Sequence, residues 1–165
     1  MDVNPIHIFL AGQDPQERTF LDHGLAEAGI QAKLKYFETG AGLLKGLETT
    51  VQKPEVIFLD MDTLKIRGMV ALSELRKMET CKNIPIIMFS TTSYLDDINL
   101  AFNNGANLFV PKPVFIRDKA TAIETIFSIN WRKTLLIKDR ILFVLNAATS
   151  FMKLNRKQLT RPPML

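Results

Sequence analysis

Val56-Ile57-Phe58-Leu59-Asp60 is an unbroken apolar run that stops on a carboxylate, and two later runs repeat the design. Ile84 to Phe89 stops at Ser90, and Leu108 to Val110 stops just before Lys112. Runs of this length and character suit strands buried on both faces of a parallel sheet. In such sheets the groups that bind and react collect outside the carboxyl ends of the strands. A carboxylate, a hydroxyl and an ammonium are therefore expected at one rim, where they can hold a phosphoryl group.

Working outward, residues 5–11 read as a first strand that ends in Gly12-Gln13. Asp14-Pro15-Gln16-Glu17 signals a helix start: Asp14 caps, Pro15 takes the first position and Glu17 reaches back to the cap. That helix is expected to stop near Ala28, with Gly29 as its left-handed terminator. A strand over residues 31–37, a helix over 41–51 and the Pro54 break lead into the run ending at Asp60. Beyond it, helices are predicted over 69–78, where Val70, Leu72 and Leu75 form a buried face, over 94–104 and over 117–129. Five strands alternating with five helices predict an α/β flavodoxin-like (βα)5 three-layer sandwich, its parallel sheet ordered 2-1-3-4-5.

Composition divides the chain at about residue 130. Residues 1–130 hold thirteen Lys and Arg against sixteen Asp and Glu, a balance of −3, whereas 131–165 hold eight against one, a balance of +7. The overall net charge of +4 is thus a property of a basic, partly apolar C-terminal extension. Ile137, Ile141, Val144, Leu145, Ala148 and Met152 would line one face of a helix there, although residues 141–145 alone read equally as a strand or extended arm. Trp131 and this stripe are costly to leave in water and are expected to pack on the first domain or on a second subunit. The single cysteine, Cys81, is expected in a loop and cannot form an internal disulfide. No run approaches the roughly 20 apolar residues of a membrane helix, so a soluble, cytoplasmic protein without a membrane span is expected.

The motifs Phe58-Leu59-Asp60-Met61-Asp62 with Gly68, Ile84 to Ser90, Gly105-Ala106-Asn107 and Phe109-Val110-Pro111-Lys112-Pro113 resemble the response-regulator receiver domain over residues 4–130. The Ser128-Ile129-Asn130-Trp131 ending resembles that of stand-alone, chemotaxis-type receivers. The resemblance implies two-component phosphorelay signalling, with a histidine kinase or phosphotransfer protein as donor to Asp60. It makes Asp60 the phosphoacceptor, Ser90 the hydroxyl that turns toward the phosphoryl group, Phe109 the aromatic switch and Lys112 the pairing ammonium. It further implies signalling by protein contact, or homodimerisation, through the face made by the fourth helix, the fifth strand and the last helix.

The departures bear on the metal. Gly12 and Gln13 stand where receivers carry an acidic pair that holds Mg²⁺, a hard cation poorly served by a neutral amide. Asp60 and the side chain of Asp62 are left as the metal candidates, and Lys112 is expected to neutralise Asp60 directly. A phosphorylation-independent pseudo-receiver that works as a docking module is the alternative reading. Other classes fit less well. The Asp60-x-Asp62 pair echoes haloacid dehalogenase-type phosphatases, but lies on the third predicted strand instead of the first. Gly40-Ala41-Gly42 lacks the remaining spacing of a phosphate loop, and His7 and His23 have no companion at metal-ligand spacing. The extension is too short for a DNA-binding output domain with its own core. A signalling module is expected, not an enzyme.

Overall fold

The computed structural model describes residues 4–62, 65–91, 94–112, 119–132, 142–144 and 152–153. Strands β1 (Ile6–Ala11), β2 (Ala32–Phe37), β3 (Val56–Asp60), β4 (Ile86–Ser90) and β5 (Leu108–Pro111) alternate with helices α1 (Pro15–Glu27), α2 (Gly40–Thr49), α3 (Lys65–Lys77), α4 (Leu95–Asn103) and α5 (Lys119–Ser128). All five strands are parallel and lie in the order β2-β1-β3-β4-β5, the flavodoxin-like arrangement read from the sequence.

The two-residue period of the strands divides the core. Phe9, Ile57, Leu59, Met88 and Phe109 face α2, α3 and α4, where Leu43, Leu72 and Ile98 cover them. Ile8, Phe58, Ile87 and Val110 face the other way, against Leu21 of α1 and Ile123 of α5. Each fully buried side chain of this size contributes about 1.5–3 kcal/mol, so both helical layers are anchored by apolar burial. The rims, not the faces, are left for chemistry. Register brings Asp60 opposite Phe89 and Ser90 opposite Pro111, so the ends of β3, β4 and β5 finish at one level.

Four expectations need correction. Helix α3 begins at Lys65, four residues earlier than predicted, so Gly68 lies inside its first turn. A β-carbon there would stand 3.0 Å from the Asp60 carbonyl oxygen, and the absence of one lets the helix approach the end of β3. Val70 is exposed; Met69, Ala71, Leu72 and Leu75 form the buried face instead. Cys81 belongs to a short 3-10 turn (Glu79–Cys81) and is fully buried, because that turn folds under α3.

The last correction concerns the extension. Leu142–Val144 forms a strand, β6, parallel to β5, with Val144 beside Phe109; Met152–Lys153 forms β7, antiparallel to β6. A helix through residues 142–144 is thereby replaced by pairing with the edge of β5, whose N–H and C=O groups would otherwise be open. The rest of the predicted apolar stripe, Ile137, Ile141, Leu145 and Ala148, lies outside the described residues. Trp131 packs against the α1–α5 side of the core. Among the described residues no helix is long and apolar enough to cross a membrane.

Candidate functional site

Three strand ends deliver Asp60, Ser90 and Lys112 to one pocket, as their positions in the sequence imply. Asp60 and Ser90 are buried, and the Lys112 side chain is 12% exposed. The Lys112 ammonium stands 3.0 Å from Asp60 Oδ1 and 2.8 Å from Asp62 Oδ2, and it also pairs with Glu17 Oε1. Asp62 closes the mouth: its Oδ1 accepts the Ser90 hydroxyl at 2.7 Å, and the Thr91 amide donates to both of its oxygens at 3.0 and 2.8 Å. The Asp62 amide in turn donates to Asp60 Oδ1 at 2.9 Å. Phe109, one strand pair away, is fully buried in the α2–α4 side of the core.

Glu17 is the residue that sequence reasoning missed. Its position suits a helix cap, but Asp14 alone caps α1, accepting from the Gln16 amide at 2.9 Å. Glu17 turns inward instead and is buried. The signal lay in the spacing, since Glu17, Leu21, Gly24 and Leu25 occupy one face of α1 and all four are buried. Room for its carboxyl comes from Gly12: a β-carbon at that position would lie 2.2 Å from Glu17 Oε2 and 3.2 Å from the Asp60 β-carbon. An acid is therefore absent from the end of β1 and restored from the first turn of α1.

Electrostatics separate the carboxyls of Glu17 and Asp62. Burial pushes Glu17 up to about 8, with Lys112 opposing and the charge of Asp60 reinforcing the rise. Glu17 therefore holds its proton at neutral pH. Its Oε2 is buried without a hydrogen-bond donor, as suits a protonated carboxyl turned toward the Asp60 side chain. Burial also works to raise Asp62, but hydrogen bonds from Lys112, Ser90 and the Thr91 amide outweigh it and hold this carboxyl below the ordinary range. For Lys112, burial favours the neutral amine, yet hydrogen bonds to Asp62, Glu17 and Asp60 prevail and keep the ammonium charged.

These residues do not fit a divalent cation. Gly12 and Gln13 supply no carboxylate from β1, and among the described residues no group of three His, Cys, Asp or Glu side chains is arranged to hold a metal. A fixed ammonium already stands among Glu17, Asp60 and Asp62, so an added Mg²⁺ would meet its repulsion at short range. Asp60 and Asp62, the metal candidates from the sequence, are thus both engaged by Lys112. Beside them a cavity of about 340 Å³ opens between the ends of β1 and β3 and the starts of α2 and α3, walled by Gly12, Gly40, Ala41, Gly68 and Ala71.

Known proteins share this architecture. The chain is 21% identical over 137 residues to the probable methanogenesis regulatory protein FilR2 of Methanothrix harundinacea (strain 6Ac), covering 79% of this chain and 88% of that one. The crystal structure of the phosphorylated cyanobacterial phytochrome response regulator RcpA superposes with a TM-score of 0.66 at 21% identity, covering 79% of this chain and 96% of that one. The Mn(2+)-bound form of response regulator Rcp1 gives 0.65 at 21% identity, with 76% and 94% covered. At such identities the solved structures speak for the fold. The family itself is fixed by the response regulator receiver domain, which matches residues 8–124 and so takes in β3, β4, β5 and all three convergent side chains. This chain belongs to the receiver domains of two-component signalling.

Proposed function

We propose that this receiver signals by protein contact, with a histidine kinase or phosphotransfer protein as its partner, and that its pocket is neutralised from within instead of being charged through Mg²⁺. The observation that carries this reading is the triple engagement of Lys112 by Glu17, Asp60 and Asp62. Transfer to Asp60 would form an acyl phosphate and place further negative charge among these groups. Positive charge to offset it is needed, and the nearest ammonium is already shared. The module acts as a docking element, not as a turnover enzyme.

A second reading has its own support. Asp60, Ser90 and Lys112 converge as a phosphoryl site requires, which favours phosphoacceptance on Asp60. One experiment separates the two. The full chain is incubated with acetyl phosphate and Mg²⁺, and its intact mass is recorded. No adduct is expected; a stoichiometric gain of about 80 Da that disappears in Asp60→Ala would replace the first reading with the second.

A further inference from the structure

We propose that the cavity of about 340 Å³ beside the ends of β1 and β3 binds a neutral nucleoside, with its base against the apolar wall and its ribose diol on Glu38. In a sheet ordered β2-β1-β3, the chain leaves β1 for the α1 face and β3 for the α3 face. Small ligands settle in the crevice that such a divergence opens. The rim beside it is held level: Ala11 pairs with Phe37, and the next residue, Gly12, donates its amide to the Phe37 carbonyl at 3.0 Å. Gln13 and Glu38 therefore leave β1 and β2 side by side, and both line the cavity as exposed residues. Neither side chain takes a partner among the described residues. Ser90 and Lys112 do not line this cavity, so the site is separate from the one they form with Asp60.

The wall selects for a planar ring. Gly40, Ala41, Gly68 and Ala71 present backbone and single methyl groups, and Leu44 and Leu59 add apolar surface. A flat aromatic system gains its burial against such a surface, which bulkier side chains would interrupt. Charge selects against a phosphate. Among the described residues no Lys, Arg or His lines the cavity, whereas Glu38 and Asp60 do, so an anionic group would meet repulsion and no counter-charge. The Asp60 carboxylate is already engaged by Lys112 and by the Asp62 amide, which leaves Glu38 as the acceptor. A carboxylate accepts two hydrogen bonds side by side, and a vicinal diol offers that pair. In dinucleotide-binding sheets an acid about twenty residues beyond the glycine-rich turn after the first strand holds a ribose in this way. The Gln13 amide both donates and accepts, as the edge of a base requires. The volume lies at the small end of the roughly 300–1,000 Å³ of ligand pockets, which suits one base and one sugar.

The test titrates adenosine calorimetrically into the full chain as wild type, Glu38→Gln and Ala41→Phe, with circular dichroism verifying the fold. Deoxyadenosine, adenosine monophosphate and benzylamine serve as comparison probes for the diol, the phosphate and a simple aromatic cation. Saturable binding of adenosine to wild type is expected. Glu38→Gln should weaken it at least about tenfold, and so should replacing adenosine by deoxyadenosine, because each removes hydrogen bonds to a charged acceptor. Ala41→Phe fills the cavity from an exposed helix position and should abolish binding. Adenosine monophosphate should bind more weakly than adenosine. No saturation up to about 10 mM adenosine, or equal affinity in wild type and Glu38→Gln, overturns the proposal. Tighter binding of adenosine monophosphate or of benzylamine than of adenosine overturns it too. Should Ala41→Phe fail to fold, Glu38→Gln and deoxyadenosine still decide. The acetyl-phosphate experiment reads Asp60 alone, so its result and this one stand apart.

Discussion

A single methyl group at position 12 tests whether the Glu17 carboxyl fills the room left by a missing β-carbon. The Gly12 backbone does not adopt a positive φ, so alanine meets no conformational penalty and only space is at issue. The added carbon would lie 2.2 Å from Glu17 Oε2, far inside the roughly 3.5 Å at which heavy atoms ordinarily meet. Glu17 must then leave its seat and give up Lys112. Overpacking that displaces a buried, paired side chain costs about 1–3 kcal/mol, and we expect Gly12→Ala to lose about 2 kcal/mol. In a Glu17→Ala background only the 3.2 Å approach to the Asp60 β-carbon remains, and a shift of a few tenths of an ångström relieves it. There the same substitution should cost under about 0.5 kcal/mol. Urea unfolding of the four proteins, followed by far-ultraviolet circular dichroism, closes the cycle. Equal costs in both backgrounds would refute the placement of Glu17 beside Gly12.

Three further outcomes are expected. Because Glu17 is held up to about 8 in the fold against an ordinary 4.5, its protonated form is stabilising below 4.5 and that contribution drains away as pH rises to 8; Glu17→Gln should flatten this decline and gain up to about 5 kcal/mol over wild type at pH 9, and parallel pH–stability curves would contradict it. Lys112→Ala should lose about 3 kcal/mol in thermal unfolding at pH 7, since Asp60 and Asp62 lose their common cation; a loss below about 1 kcal/mol would show that the ammonium is not shared. Deleting residues 133–165 uncovers the edge of β5, and light scattering should report self-association or reduced solubility; an unchanged monomer mass and solubility would count against an edge-covering role.

The strand ends were readable because buried parallel strands announce themselves as continuous apolar runs, and the polar residue after each run marks the rim. That logic located Asp60, Ser90 and Lys112 without any knowledge of their contacts. Glu17 escaped it because two physical roles share one position: an acid in the first turn of a helix suits both a cap and the helix dipole. Only its alignment with Leu21 and Leu25 distinguishes the inward role. Asp62 is legible as a site residue from its place two positions after Asp60, but its partners are not. Its side chain bridges to Ser90 and Thr91 across 28 and 29 residues of chain, and no local pattern encodes such a contact. In the extension, residues 142–144 pair with an edge already built, so tertiary pairing overrides the helical spacing.

Because β6 lies alongside β5, the flank of the sheet nearest α4 and α5 is written partly by residues outside the span that matches the receiver family. A protein approaching from that side meets the extension before it meets the outermost family strand. Two receivers with the same pocket and different extensions would then speak to different listeners, and the dialect would reside in the last thirty or so residues, where pocket chemistry has no say.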